Sequence, residues 1–214
     1  MTAVAIIDYG MGNLHSIGKA VEHVAGDQRV VVTSDPEQIR RADRVIFPGV
    51  GAMRDCMQEL QRLDLDELIR SLVGQRPLLG VCLGMQALLD FSEENNGIQA
   101  LGVIPGQVRR FPDGLTDSLS GERLKIPHMG WNQVRQHTHP LWEGIPQDSR
   151  FYFVHSYYAQ PERQEDCAGV TDYGLSFASA VAHDGVFAVQ FHPEKSQHAG
   201  LRLLANFVKW DGQD

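Results

Sequence analysis

The amino-acid sequence predicts an α/β fold, with a mixed, largely parallel central sheet flanked by helices and a smaller antiparallel strand region in the second half. Three observations predict it. Over the first 95 residues, short apolar runs alternate with segments of helical period. From about residue 97 the texture changes to short strand-like runs separated by turn residues. The chain closes on one amphipathic stretch, SQHAGLRLLANFVKW (196–210).

The elements follow in order. VAIID (4–8) is an apolar run closed by Gly10 and Gly12, the pattern of a buried strand. In NLHSIGKAVEHV (13–24), Leu14, Ile17, Val21 and Val24 fall at helical spacing, with Asn13 as N-cap and Gly26 as the stop. RVVVTS (29–34) is β-branched and strand-like, and RVIFPG (44–49) is a further strand ending in a turn. MRDCMQELQRLDLDELIRSLV (53–73) is helical with a break near Asp64; PLLGV (77–81) is the next strand and LGMQALLDFSE (83–93) the next helix. Parallel strands need long crossovers, so helices between strands point to βα units. Ligands of such sheets bind beyond the carboxyl ends of the strands. Segments 8–13 and 48–51 and Cys82 all fall at such ends.

In the second half, 102–111, 131–136, 150–160, 167–173, 176–185 and 186–194 read as short strands, and Asp184 followed by Gly185 is a hairpin signal. Residues 112–124 carry no clear element. Neither a repeat nor a linker interrupts the chain, so residues 1–214 read as one domain on a flavodoxin-like sheet.

Composition excludes several classes. The 214 residues are enough for a substantial core, and 43% hydrophobic with 21% charged residues is ordinary for a soluble globular protein. A net charge of −8 argues against non-specific nucleic-acid binding, which needs basic patches. Three widely spaced cysteines suggest neither a disulfide framework nor a CxxC metal site, and point to a reducing compartment. The N-terminus lacks a basic, then apolar, leader, and no run reaches the roughly 18 apolar residues of a membrane span. The expected location is cytoplasmic.

The chemistry concentrates in few motifs. In GVCLG (80–84), Cys82 stands between glycines where a strand turns into a helix, the form of a nucleophile elbow. The helix dipole there favours a thiolate, and the Leu83 N–H is free to face an oxyanion. The plainer reading of Cys82 is a small buried apolar residue at a turn. A thiol nucleophile needs a base, and VQFHPEKS (189–196) offers His192, followed by Pro193 and by Glu194, which can reach back to orient the imidazole. The alternative is an ordinary strand-end histidine, since spacing alone cannot join residues 110 apart. FPGVGAMRD (47–55) supplies a glycine-rich turn that could aim the Val50 or Gly51 N–H at the site, or be a turn without chemistry. HTH (137–139) is a turn rather than a metal site. DYGMGNL (8–14) lacks the spacing of a phosphate loop, Cys56 reads as core and Cys167 as structural.

GVCLGMQ followed by QFHPEKS resembles the triad signature of the class I glutamine amidotransferases, and PGVGAM resembles their oxyanion strand. DYGMGNLHS, KIPHMGWN (125–132) and FYFVHSYY (151–158) narrow the resemblance to glutaminase subunits that serve imidazole glycerol phosphate synthesis in histidine biosynthesis. The resemblance implies that Cys82 attacks the side-chain amide of glutamine, giving a γ-glutamyl thioester and ammonia. It implies His192 as the base oriented by Glu194, and Val50 and Leu83 lining the oxyanion hole. Gly51, Gln86, Ser156 and Tyr157 match positions that hold glutamine. No metal or organic cofactor is implied. The partner implied is a (β/α)8-barrel cyclase in a heterodimer, with Asn13, Trp131 and Lys195 at the interface. Read without the resemblance, these three are a helix cap, a half-buried aromatic and a solvated lysine.

The resemblance also implies an oxyanion strand poorly set until the partner binds ligand. Three other functions fit parts of the pattern: a paralogue feeding ammonia to an amino-sugar type of synthase, a stand-alone γ-glutamyl hydrolase, and a non-catalytic binding module. If His192 is the base, kcat/KM is expected to fall on the acid side as the imidazole protonates.

Overall fold

A computed structural model describes residues 3–117 and 120–213. Strand β1 (Ala3–Ile7) opens the chain; its side chains alternate between two apolar layers, Val4 and Ile6 in one, Ala5 and Ile7 in the other. A strand buried on both faces is what the interior of a parallel sheet demands. Helix α1 (Leu14–Val24) follows, capped by the Asn13 side chain, which accepts from the Ser16 N–H at 3.3 Å. Edge strand β2 (Arg29–Thr33) leads into α2 (Pro36–Arg41), a helix the apolar period is too short to announce. Its start signals are nonetheless present: Pro36 in the first turn, and the Asp35 carboxylate accepting from the Glu37 N–H at 2.9 Å.

Strand β3 (Arg44–Gly49) is followed by α3 (Met53–Arg62) and α4 (Leu65–Leu72), with Asp64 between them in the left-handed region at φ 54°. The break at Asp64 is therefore a backbone reversal of direction. Buried strand β4 (Leu78–Cys82) runs directly into α5 (Leu83–Ala87).

The expected helix over 83–93 is cut short. Its last carbonyls are claimed by a crossing loop: Leu101 N–H donates to Ala87, Gly102 to Leu89, and Val103 and Ile104 both to Leu88, all within 2.8–2.9 Å. Residues beyond 87 are thereby freed to form β5 (Phe91–Ser92), which pairs with β6 (Ile98–Gln99) and β7 (Gly106–Arg110).

Strands β8 (His128–Gln133) and β9 (Arg135–Gln136) come next. The single strand expected over 150–160 is two. Strand β10 (Arg150–His155) pairs with β8 in a small antiparallel sheet, whereas β11 (Tyr157–Pro161) pairs with β7 and β13 (Ser176–His183) in the main one. The chain changes sheets at Ser156, whose carbonyl accepts from the Phe111 N–H at 3.1 Å. Strand β12 (Cys167–Asp172) pairs with β13 and β9; β14 (Val186–Val189) returns from β13 through the Asp184 and Gly185 turn, both at positive φ. Helix α6 (Gln197–Phe207) closes the chain and packs on α1. Of the segment 112–124, the described part holds one bridge, Thr116 to Arg123; residues 118 and 119 lie outside the described residues.

The main sheet has the order β2-β1-β3-β4-β14-β13-β11-β7-β5-β6. Pairings from β2 to β14 are parallel, and β14–β13, β13–β11 and β11–β7 are antiparallel. Strand β4 lies between β3 and β14, with Gly49 opposite Cys82 and Val189 opposite Val81. That register brings the carboxyl ends of three strands, and the segments 49–51, 82–86 and 190–194, to one edge of the sheet. Among the described residues no helix is long and apolar enough to cross a membrane.

Candidate active site

Cys82 is the last residue of β4 and holds φ 55° and ψ −111°, a conformation that side-chain-bearing residues rarely adopt. Its neighbours explain how the turn is held. A Cβ on Gly84 would lie 2.0 Å from the Phe47 carbonyl oxygen, and one on Gly80 would lie 2.9 Å from both the Ala188 Cβ and the Leu88 Cδ1. Only hydrogen fits at either place. Helix α5 therefore sits directly against β3, with Cys82 projecting at the sheet edge.

His192 follows β14. Its backbone is fixed on both sides, with its N–H donating to the Tyr152 carbonyl at 2.9 Å and its carbonyl accepting from Ser196 Oγ at 2.6 Å. Its Nδ1 meets Glu194 Oε1 at 2.9 Å, and both side chains are only 3% exposed. The turn 193–195, begun by Pro193, is what bends Glu194 back onto the ring. Among the described residues, His192 Nε2 and Glu194 Oε2 are buried without a hydrogen bond of normal geometry. Cys82 and the His192 ring border the same cavity without a hydrogen bond of normal geometry between them. A catalytic pair that tightens only around substrate has this looser geometry.

Burial opposes a charge on His192, but the facing Cys82 and Glu194 outweigh it and push the imidazole up to about 10. The contrast with the other thiols is direct. Cys56 is buried beside Tyr9 and burial pushes it up to about 12, while Cys167, half-buried at the start of β12, donates to the Gly169 carbonyl.

Cys82 and His192 open on a cavity of about 350 Å³ that Val50, Gly51, Leu83, Gln86, Ser156 and Tyr157 also line. Every residue singled out from the sequence for nucleophile, base, oxyanion or substrate contact thus borders it, with Glu194 directly behind His192. Gln86 is fixed by donating to both the Tyr157 carbonyl and Gln190 Oε1, each at 2.9 Å, and Gln190 Nε2 lies 3.8 Å from the Cys82 sulfur.

Glu94 and His155 also line the cavity and were missed in the sequence. Glu94 falls just past the stretch read as helix; in the structure its carboxylate accepts from the Met53 N–H at 2.8 Å. His155 lies within HSYY, but only the change of sheet at Ser156 turns it toward the cavity.

Asn13, Trp131 and Lys195 lie outside the cavity. Asn13 caps α1, Trp131 is 42% exposed and meets Tyr152 edge-on at 6.2 Å, and Lys195 Nζ stands 5.9 Å over the same Tyr152 ring. Among the described residues no group of three or more His, Cys, Asp or Glu side chains is arranged to hold a metal ion. In the HTH stretch, His137 Nδ1 meets the Cys167 carbonyl at 2.6 Å, and His139 caps the turn 140–142.

Residues 5–210 match the model of the glutamine amidotransferase class-I family. The imidazole glycerol phosphate synthase subunit HisH of Methylococcus capsulatus is 61% identical over 99% of this chain and 98% of its own. The protein of the same name from Nitrosococcus oceani is 59% identical over 99% of each chain. A solved glutamine amidotransferase superposes with a TM-score of 0.71, covering 97% of this chain and 99% of its own, at 17% identity. A cysteine at a tight strand-to-helix turn, a carboxylate-backed histidine and a whole-length match agree: the chain belongs to the class-I glutamine amidotransferase family and, within it, to the imidazole glycerol phosphate synthase HisH subunits.

Proposed function

We propose that the chain, as one domain over residues 1–214, hydrolyses glutamine and passes the ammonia to a (β/α)8-barrel cyclase subunit that makes imidazole glycerol phosphate. The observation that carries this reading is the line of Cys82, His192 and Glu194 at one cavity, beside the Gly49 to Gly51 turn.

The Cys82 thiolate attacks the side-chain carbonyl carbon of glutamine. The carbonyl oxygen becomes an oxyanion, stabilised by the backbone N–H groups of Leu83 and Val50. Protonated His192 gives its Nε2 proton to the amide nitrogen, the C–N bond breaks and ammonia leaves, with a γ-glutamyl thioester remaining. Neutral His192 then takes a proton from water, the hydroxide attacks the thioester, and glutamate leaves with the Cys82 thiolate restored. Glu194 keeps the imidazole oriented and supports its charge. Gly51, Gln86, Ser156 and Tyr157 hold the substrate, and the Glu94 carboxylate complements its α-ammonium group.

The raised His192 value revises the pH behaviour expected from sequence. A histidine raised to about 10 is already protonated at pH 7, and its proton is lost only as pH rises toward that value. Accordingly, kcat/KM for glutamine holds within about twofold from pH 8 down through 6.5. Initial rates of ammonia release across that range check it; a tenfold fall per unit starting near 6.5 identifies an ordinary imidazole instead.

The partner-facing surface is proposed around Trp131 and Lys195, with Asn13 on the neighbouring α1. Support comes from Met129 at 65% and Trp131 at 42% exposure, two large apolar side chains left uncovered on β8. Val50, 39% exposed, lines the cavity mouth and is a candidate oxyanion donor that a docked subunit could set. One well-placed oxyanion donor is worth about 10²–10³ in rate. The isolated chain therefore hydrolyses glutamine about 10²-fold or more slowly than the complex with cyclase and the cyclase's ligand. Steady-state ammonia release with and without that subunit measures the ratio, and equal rates defeat the coupling.

A further inference from the structure

From His155 at the cavity wall runs a line of buried and half-buried polar side chains that the reaction above leaves unused. His155 Nδ1 stands 2.7 Å from the Tyr157 carbonyl, and His155 Nε2 stands 2.9 Å from His128 Nδ1. His128 Nε2 lies 3.3 Å from Asn132 Nδ2, which also donates to the Asp172 carbonyl at 3.0 Å.

Elementary hydrogen-bond chemistry sets the direction of this chain. A carbonyl only accepts, so His155 carries a proton on Nδ1. Its Nε2, in the neutral ring, is then the acceptor, so His128 must also carry its proton on Nδ1. The remaining His128 Nε2 accepts from Asn132. A second proton on the His155 ring would set one N–H against another. Burial acts the same way, pushing His128 down to about 3 and His155 down to about 4, so both rings are uncharged at neutral pH. The His128 ring is also clamped between Phe153, at 4.8 Å, and Tyr173, at 3.9 Å between centroids.

The chain joins two places of consequence. The Tyr157 carbonyl at one end is the acceptor that also fixes Gln86, whose amide in turn fixes Gln190 beside the Cys82 sulfur. Strand β8 at the other end has its inner face occupied by His128 and Asn132 and its outer face by Met129 and Trp131. His128 and His155 are directly opposite in the β8–β10 ladder.

We propose that His128 and His155 are positioning residues for glutamine hydrolysis: a pair of neutral, Nδ1-protonated rings that lock the Tyr157 carbonyl, and through it Gln86 and Gln190, to β8. The kinetic consequence rests on the glutaminase reading above; the tautomers do not. A shift of β8 is transmitted through the pair to the cavity wall, because neither ring can turn without breaking a hydrogen bond on each side.

Nitrogen-resolved NMR of the full chain carrying ¹⁵N-labelled histidine, at pH 7, reads the tautomers directly. Two neutral rings protonated on Nδ1, assigned by their loss in H128N and H155N, are expected; Nε2–H tautomers or imidazolium signals at these residues overturn the proposal. The kinetic test compares His128→Asn with His128→Leu in the complex with the cyclase. The asparagine amide nitrogen takes the place of Nδ1 and keeps the donor to His155, whereas leucine leaves His155 Nε2 without one. H128L is expected to lower kcat about tenfold with the glutamine KM within about twofold, and H128N to recover most of the loss. Equal kcat in the two variants overturns the proposal, and if H128L does not fold, H128N with the NMR measurement still decides. Failure of the glutaminase reading would show separately, as an unchanged rate in Cys82→Ser.

Discussion

Cys82→Ser lowers the rate of glutamine hydrolysis by at least about 10⁴-fold and leaves glutamine binding largely intact. The hydroxyl of serine ionises far less readily than a thiol, and His192 is arranged to share the proton of a sulfur group, not to strip one from an alcohol. Losing the nucleophile of a triad typically removes most of what the whole unit contributes, leaving only the oxyanion donors and binding. The substitution is nearly isosteric, so the cavity and the φ 55° turn persist. Ammonia release by the complex, with glutamine titrated calorimetrically in parallel, tests both halves of the expectation. A residual rate within tenfold of the native one removes Cys82 from the mechanism.

The second large effect is on folding. Gly84→Ala places a methyl group 2.0 Å from the backbone carbonyl oxygen of Phe47, where no flexible side chain can yield. Helix α5 must move off β3, at a cost of about 3 kcal/mol or more. For a chain of this size that lowers Tm by roughly 6–12 °C. The same movement shifts the Leu83 N–H and the Gly49–Cys82 register, so activity falls with stability. Gly18→Ala is the control: it lies within α1, where the nearest atom to an added Cβ is Val32 Cγ2 at 3.7 Å. There the change favours the helix by up to about 1 kcal/mol. Differential scanning calorimetry of the two variants should move in opposite directions; a Gly84→Ala protein as stable as the native one shows that the close approach is not required.

The first half of this fold is legible in the sequence because each of its elements is locally determined. The apolar run of β1, the cap at Asn13 and the break at Asp64 all act within a few residues. Where distant segments intervene, local reading fails. The helix after Cys82 stops because residues 101–104 take its carbonyls, and the strand through Ser156 divides because its two halves find partners in different sheets.

The candidate site follows the same division. Cys82, His192 and Glu194 carry short-range signals: two glycines about a turn, and a proline between ring and carboxylate. Glu94 and His155 carry none, since each reaches the cavity only through one of those long-range rearrangements. Helix α2 was hidden for a different reason, being too short for its period to show although its cap was present.

Among the described residues, His192 Nε2 and Glu194 Oε2 belong to the few buried polar atoms left without ordinary partners, and they set a limit on how sturdy this chain can become while it keeps its reactivity. Selection for endurance alone would favour hydrocarbon at both positions, since uncharged bulk tolerates a dry interior that an unmet polar atom does not. A heat-resistant descendant of this molecule is thus reached most readily through an inert one, and lineages that stay reactive must gain their toughness elsewhere in the chain.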